Sequence, residues 1–169
     1  MLRTSRDGLA ATAGHDLTID VTRWSGELTV AEDCAPTALD VRVDLTSLAV
    51  RSGTGGIKPL TERDKGEILA TARKTLRADL HPEATFGDAR FEPAAGGGAI
   101  SGTLTLAGRS APVRLQVTEA GLGRFHATGS VTQSAFGIKP YRGFFGALKV
   151  SDAVAVEVDV DLSRPGGAA

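Results

Sequence analysis

Cysteine, histidine and long apolar runs are scarce in this sequence, and each shortage excludes a class of protein. Cys34 is the single cysteine among 169 residues, which excludes an intramolecular disulfide and a cysteine-rich zinc site. The three histidines lie far apart, without the His-x-His or His-Glu-x-x-His spacing of a metal site. No run approaches the roughly 18 apolar residues of a membrane span. We therefore expect no metal site and no integral membrane contact.

An excess of either charge is also missing. The chain has 19 basic and 20 acidic residues, a net charge of −1, whereas nucleic-acid binders usually carry a basic excess. The same balance argues against attraction to anionic membranes by charge alone. The first residues have no apolar segment like that of a signal peptide. These features predict a cytoplasmic soluble protein that does not bind nucleic acid.

What the sequence does have is apolar and polar residues in strict alternation, which is typical of strands with one buried face. The pattern is clearest over residues 154–162, where four valines and a leucine share one parity. Including weaker segments, it predicts about eight strands, near residues 16–21, 26–31, 39–45, 84–92, 100–106, 113–117, 122–134 and 154–162. Short strands of this kind predict a sandwich or a closed antiparallel β-barrel.

One stretch has helical spacing instead. Ile68, Leu69, Ala72 and Leu76 fall on one helix face, which predicts a short helix at about residues 62–78, near one end of the barrel. Thr61 and Asp64 have the spacing of a capping box, and we expect Pro82 to end the helix. We predict a single domain over residues 1–163 and a disordered tail at 164–169.

Parity also predicts which side chains face the interior. If the first long strand begins near Leu9, then Ala11, Ala13 and His15 point inward with the apolar residues that follow. His15 is then either a core histidine that is hydrogen-bonded to a neighbour or a polar anchor for a ligand head group. Further along, Ala127 and Gly129 are also small and inward-facing, which favours an internal cavity over a filled core.

Aromatic residues and two short motifs complete the candidates. Phe136, Tyr141 and Phe144 cluster with Lys139 and Arg142, as either a rim that closes the barrel or an entrance for an apolar ligand. Phe86 and Phe125 are expected on the wall or at the mouth. The glycine-rich stretch 53–56 is expected to be a flexible turn. Gly-Ile-Lys-Pro occurs at 56–59 and again at 137–140, which is too short to define a repeat.

Several motifs occur in the order of the YceI-like family, whose members are lipocalin-like, polyisoprenoid-binding barrels. They are Gly14-His15-Asp16-Leu17, the helix leading to residues 81–86, residues 102–108, Phe136-Gly137-Ile138, and 148–152 before the last strand. The resemblance implies an eight-stranded antiparallel barrel with a helix near one end. It also implies a tunnel for a long amphiphile such as an isoprenoid, a quinone or a fatty-acid-like ligand.

The leading hypothesis is a non-catalytic protein that binds, transports or sequesters such a lipid-like ligand, with no other cofactor. The candidate binding residues are His15, Ala13, Phe86, Phe125, Ala127, Gly129, Phe136, Tyr141 and Phe144. One alternative is a filled barrel that acts as an interaction or stress-related module through its loops at 51–60 and 137–146. The other is an enzyme that uses His15 as a general base on a small apolar substrate. A homodimer is possible.

Overall fold

A computed structural model describes residues 1–162, and one long, curled antiparallel sheet dominates it. The strands are β1 (Leu2–Thr4), β2 (Arg6–Asp7), β3 (His15–Val21), β4 (Trp24–Val30), β5 (Pro36–Asp44), β6 (Leu48–Gly55), β7 (Glu83–Ala94), β8 (Gly97–Leu106), β9 (Arg109–Gly121), β10 (Arg124–Thr132), β11 (Arg142–Gly143), β12 (Leu148–Val150) and β13 (Ala153–Asp161). Helix α1 spans Glu62–Thr75, and 3-10 helices span Ala11–Ala13, Leu45–Ser47, Gln133–Phe136 and Phe144–Gly146. The predicted tail at 164–169 lies outside the described residues.

Ten strands form the large sheet, in the order β4-β5-β7-β8-β9-β10-β13-β1-β3-β6. The predicted all-β, lipocalin-like architecture is confirmed, with ten strands in this sheet instead of eight. The two additional strands are β1 and β6, which flank β3. Among the described residues, the edge strands β4 and β6 are not paired with each other, so the curl stops short of a closed barrel. A second sheet, β11-β12-β2, lies at one end.

The alternation seen in the sequence produces an inner and an outer face. Along β13, the side chains of Val154, Val156, Val158 and Val160 line the interior, whereas Ala153, Ala155 and Asp159 are exposed. Since successive residues of a strand point to opposite faces, this strand contributes one uninterrupted apolar stripe.

Strand β7 contains a bulge that puts two phenylalanines of opposite parity on the same face. Its register against β8 shifts between Gly87 and Arg90, and Asp88 lies there with φ 53°. An extra residue on one strand reverses the parity of everything after it. Phe86 and Phe91 therefore both face the interior.

Helix α1 begins where the sequence predicts and ends earlier. Thr61 and Asp64 form the reciprocal capping box, with Asp64 Oδ2 accepting from the Thr61 amide at 2.8 Å. Arg77 then adopts a left-handed conformation, φ 54°, and the Ala78 amide donates back to the Arg73 carbonyl at 2.9 Å. This is a Schellman turn, which ends the helix at Thr75. The expectation that Pro82 ends the helix was wrong.

Two groups of buried residues hold the sheet together. The first, which we call the sealed core, consists of Leu45, Ala78, Ala84, Leu106, Ala107, Phe136 and Ile138. The second consists of Ile19, Leu48 and Val50, against which the helix residues Ile68, Leu69 and Leu76 pack. The second group fixes α1 against the inner face of β3 and β6. No residue of α1 itself is fully buried.

Candidate ligand-binding cavity

The curled sheet and α1 enclose a cavity of about 1660 Å³. This volume exceeds the roughly 300–1,000 Å³ of ordinary small-molecule pockets. The wall is formed by inward-facing side chains of β3, β5, β7, β8, β9, β10 and β13, and by one face of α1. Nearly all of these strand side chains are aliphatic or aromatic. The interior is therefore suited to a long apolar molecule, and the cavity counts against the alternative of a filled barrel.

The sealed core forms one boundary of the cavity. Leu45, Ala84, Leu106 and Ile138 face the cavity, whereas Phe136 lies behind them with 2% of its surface exposed. Phe136 was expected at a rim or an entrance and among the binding residues, whereas it does not line the cavity. The 3-10 helix Gln133–Phe136 follows β10 and turns the phenyl ring into the core. A phenylalanine in the core and a phenylalanine on the cavity wall have the same sequence signature, because both positions need a large apolar side chain.

Most of the other predicted residues do lie on the wall. The cavity is lined by His15, Ala13, Phe86, Phe125, Ala127 and Tyr141. Gly129 does not line it, because the Leu115 side chain lies where a Cβ on Gly129 would project. The small residue at 129 thus makes room for a neighbour and adds no volume to the cavity. The side chain of Phe144 lies outside the described part of the structure.

His15 faces the cavity as expected, but the strand that carries it does not begin where it was predicted to begin. The chain before it forms the 3-10 helix Ala11–Ala13, and Leu9 is fully exposed, so no strand begins near Leu9. Strand β3 starts at His15 itself, where the imidazole Nε2 lies 2.8 Å from the carbonyl oxygen of Lys58. His15 is therefore both hydrogen-bonded to a neighbour and placed on the cavity wall.

The glycine-rich stretch 53–56 allows the side chains of Arg6 and His15 to pack directly against the backbone. Gly53 and Gly55 belong to β6 and pair with Leu17 and His15, so this stretch is not the flexible turn that the sequence analysis expected. Gly55 and Gly56 have φ values of 79° and 71°. A Cβ at Gly55 would overlap the Arg6 guanidinium, and one at Gly56 would overlap the His15 ring. The sequence signal was present, since glycine is required where side chains approach the backbone this closely.

Arg6 is the residue of this end that the sequence analysis missed. Its Nη1 donates to the Gly14 carbonyl at 2.6 Å, and its Nε lies 3.7 Å from Asp16 Oδ1. The Arg6 amide also donates to that carboxylate oxygen, at 2.8 Å. Arg6 lies on the two-residue strand β2, whose partner among the described residues is β12, with Arg6 opposite Val150, 144 residues later in sequence. Such a short, non-local pairing leaves no periodicity to detect.

A carboxylate of α1 lies near His15 and is held in its ionised form. The pKa of Asp64 is lowered mainly by hydrogen bonds from the Thr61 amide and hydroxyl, with a smaller contribution from His15. Asp64 faces the cavity, yet both hydrogen bonds tie it to the helix start. Among the described residues, no carboxylate is hydrogen-bonded to His15.

Residues 1–162 contain neither a metal-binding cluster nor a membrane-spanning helix. No three side chains of histidine, cysteine, aspartate or glutamate come together there in a way that could hold a metal ion. Within the same residues, no helix has the length and hydropathy needed to cross a membrane.

Comparison with known families assigns the fold that this geometry suggests. The model of the YceI-like domain matches residues 4–162, nearly the whole chain. The protein belongs to the YceI-like family. No curated protein matches it significantly in sequence. For this YceI-like protein, solved structures are therefore the more informative comparison.

Three of those structures illustrate the likeness. A YceI protein of Campylobacter jejuni has a TM-score of 0.63 and 17% identity, covering 85% of this chain and 82% of its own. BcnA of Burkholderia cenocepacia gives 0.63 and 17%, covering 94% of both chains. A polyisoprenoid-binding domain from Saccharophagus degradans gives 0.54 and 15%, covering 94% and 90%. At such identities the likeness establishes the fold alone.

Proposed function

We propose that this YceI-like protein binds, transports or sequesters a long apolar isoprenoid or lipid-like molecule in its cavity, without catalysis. The observation that carries the proposal is a cavity of about 1660 Å³ whose strand walls are almost wholly apolar. Each methylene moved from water into such a wall contributes about 0.8 kcal/mol. A long chain can therefore offset the loss of its own freedom. The relative from Saccharophagus degradans, described as a polyisoprenoid-binding domain, supports the ligand class.

The absence of catalysis in this proposal rests on His15. Its Nε2 is engaged with the Lys58 carbonyl, and the adjacent Asp16 carboxylate is held by the Arg6 backbone. The Lys58 carbonyl can only accept, so Nε2 carries the proton and Nδ1 keeps the lone pair; the proposal of no catalysis is supported because, among the described residues, no carboxylate is hydrogen-bonded to this ring to orient it as a base. The cytoplasmic location and the possible homodimer stay predictions, to be tested by cell fractionation and by sedimentation.

The single tryptophan offers a direct assay of binding. Trp24 faces the cavity at the start of β4, so a molecule that enters changes the surroundings of its indole ring. We expect geranylgeraniol to change the tryptophan emission saturably, and native mass spectrometry to show the complex at one ligand per chain. If native mass spectrometry shows only the free protein at every ligand concentration and the tryptophan emission does not change, the proposal is overturned.

A matched pair of variants separates the cavity from the outer surface. Ala127 faces the cavity on β10, whereas Ser130 is exposed on the same strand. Ala127→Phe fills part of the cavity and should weaken binding of geranylgeraniol at least about tenfold. Ser130→Phe adds the same ring outside and should leave binding unchanged. Circular dichroism checks that both variants fold, and equal effects from both would contradict binding inside the sheet.

A further inference from the structure

The charged groups on the cavity wall are unevenly distributed. Arg6, His15, Lys58 and Lys149 all face the cavity, and we call these four residues the basic end. The valine stripe of β13 starts nearby, because Val150 ends β12 and Val154 follows four residues later. The far end of the stripe is Val160, which pairs with Phe125. The cationic side chains of the wall therefore lie at one end, whereas the Val160 end carries the acidic Asp161, and Glu92, which is paired with Arg114, lines the wall elsewhere.

Backbone pairing brings the members of the basic end together. His15 is paired with Gly55 across the β3–β6 ladder, and its Nε2 meets the Lys58 carbonyl. The guanidinium of Arg6 lies against Gly55. Lys149 lies in β12 beside the β2 strand that carries Arg6, with Arg6 paired to Val150. The chain segments around residues 6, 15, 58 and 149 thus meet at one part of the cavity wall.

The positive charges of this end differ in how far they are neutralised. Arg6 is paired with Asp16. Within residues 1–162, Lys58 and Lys149 form no ion pair. Asp7 and Arg142, which flank Lys149 in the small sheet, carry opposite charges. The two lysines are therefore the cations of this end whose charge is available to a ligand.

The nearby carboxylates on the wall are already engaged. Glu67 accepts from Arg63 at 3.0 Å, which offsets its charge. Asp64 is committed to the capping box with Thr61. Thr61 is uncharged, so Asp64 keeps its negative charge, and the two lysines therefore face one carboxylate whose charge is not offset. An anion at this position would gain charge-assisted hydrogen bonds from groups that have no other partner.

We infer that the cavity prefers amphiphiles with an anionic head group, a carboxylate or a phosphate, held by Lys58 and Lys149 with Arg6 beside them. This inference rests on the proposed function. The apolar chain then runs along the β13 stripe from Val154 toward Val160, a distance of about 20 Å at the usual rise per strand residue. His15 positions the site by holding the Lys58 backbone.

The two copies of Gly-Ile-Lys-Pro provide a matched control for this inference. The first copy places Lys58 on the cavity wall, whereas Lys139 in the second copy is exposed and outside the wall. Both lysines lie in the same tetrapeptide context. A variant at Lys139 therefore removes the same charge from the protein without touching the basic end.

Calorimetric titration with three hexadecyl amphiphiles, each kept below its micelle concentration, tests the inference. We expect palmitate and hexadecyl phosphate to bind at least about tenfold tighter than hexadecanol, and the better of the two to identify the head-group chemistry. The double variant Lys58→Gln/Lys149→Gln should lose about tenfold in affinity for the anions. Its affinity for hexadecanol should not change, and Lys139→Gln should behave as the unmodified protein.

The possible outcomes distinguish the head-group inference from the proposed lipid binding on which it depends. If hexadecanol binds as tightly as the anions and the double variant changes neither, the head-group inference is overturned while lipid binding stands. If none of the three amphiphiles binds, the proposed function fails and the inference fails with it. Hexadecanol binding is the folding control for each variant, because a variant that still binds hexadecanol is folded.

Discussion

The sealed core and the valine wall of β13 are built from the same kinds of residue, yet the core is filled and the wall borders a cavity. Phe136 and Ala78 have 2% and 4% of their surface exposed, whereas the inward valines of β13 are only partly buried and line the cavity. Composition does not distinguish the two regions. The difference is whether another segment of the chain closes over the inner face of the sheet.

Three short segments close the sealed core. The 3-10 helix Gln133–Phe136 supplies the phenyl ring, Leu45 begins the 3-10 helix after β5, and the Schellman turn of α1 places Ala78. None of these segments crosses the wall formed by β10 and β13. Packing at one end therefore stabilises the fold, whereas the inner face of the wall borders the cavity. This division predicts that substitutions in the two regions separate stability from affinity.

Truncating one phenylalanine in each region is the strongest test of that division. Phe136→Ala removes a fully packed ring and should lower the free energy of unfolding by about 3–5 kcal/mol. Phe125→Ala removes a ring that faces the cavity and should cost only about 1 kcal/mol, because less apolar surface is lost from packing. Urea unfolding followed by circular dichroism measures both. Equal losses would show that the wall is packed like the core.

Enlarging an alanine in each region tests the same division from the other side. Ala78→Leu adds three carbons to a filled site and should cost about 1–3 kcal/mol. Ala127→Leu adds them to a cavity wall and should change stability by no more than about 0.5 kcal/mol. Thermal and urea unfolding are again the measurements. A larger loss at 127 than at 78 would reverse the assignment of filled and open regions.

Two glycines sharpen the comparison at the edge of the wall. Gly56→Ala forces a Cβ into the His15 ring at a backbone φ of 71°, and should lower stability by about 1–2 kcal/mol. Gly66→Ala lies in α1 with no atom near its added Cβ, and should raise stability by about 0.5–1 kcal/mol. Nuclear magnetic resonance of the His15 ring should change only in the first variant. Unchanged His15 signals in Gly56→Ala would contradict the packing described.

The smallest expected effect concerns acid stability beside the sealed core. Hydrogen bonds from Thr46 and Arg23 lower the pKa of Asp44 from 3.8 to about 2. A lowered pKa in the folded state means that the ionised carboxylate stabilises the fold above pH 3.8, and that this contribution is lost as the pH falls toward 2. In a plot of the urea unfolding midpoint against pH, Asp44→Asn should remove the decrease that this carboxylate causes between pH 3.8 and about 2. Thr46→Ala should do so in part, and an unchanged profile in both would contradict the assignment.

Local patterns were enough to predict much of the fold. The eight strands found by alternation all exist, because each has one apolar face, and the capping box of α1 was legible in Thr61 and Asp64. The short strands β1 and β2 could not be predicted, since they owe their pairing to β13 and β12 at the other end of the chain. The end of α1 was missed because Arg77 takes a conformation usually signalled by glycine.

The candidate site was predictable only where parity persisted. Phe86, Phe125 and Ala127 lie in regular strands and face the cavity as expected. The errors at Leu9, Gly129 and Phe136 arose where the chain leaves the strand or where a neighbour occupies the position. Lys58 and Lys149 acquire their position from tertiary pairing, which no short window of sequence contains.

Among the described residues, β4 and β6 leave the large sheet with two unpaired edges. In a closed barrel, strand number and stagger fix the diameter. No such closure fixes the spacing between β4 and β6, so the width of this sheet is set by the twist of its strands and by the packing of α1 against β3 and β6.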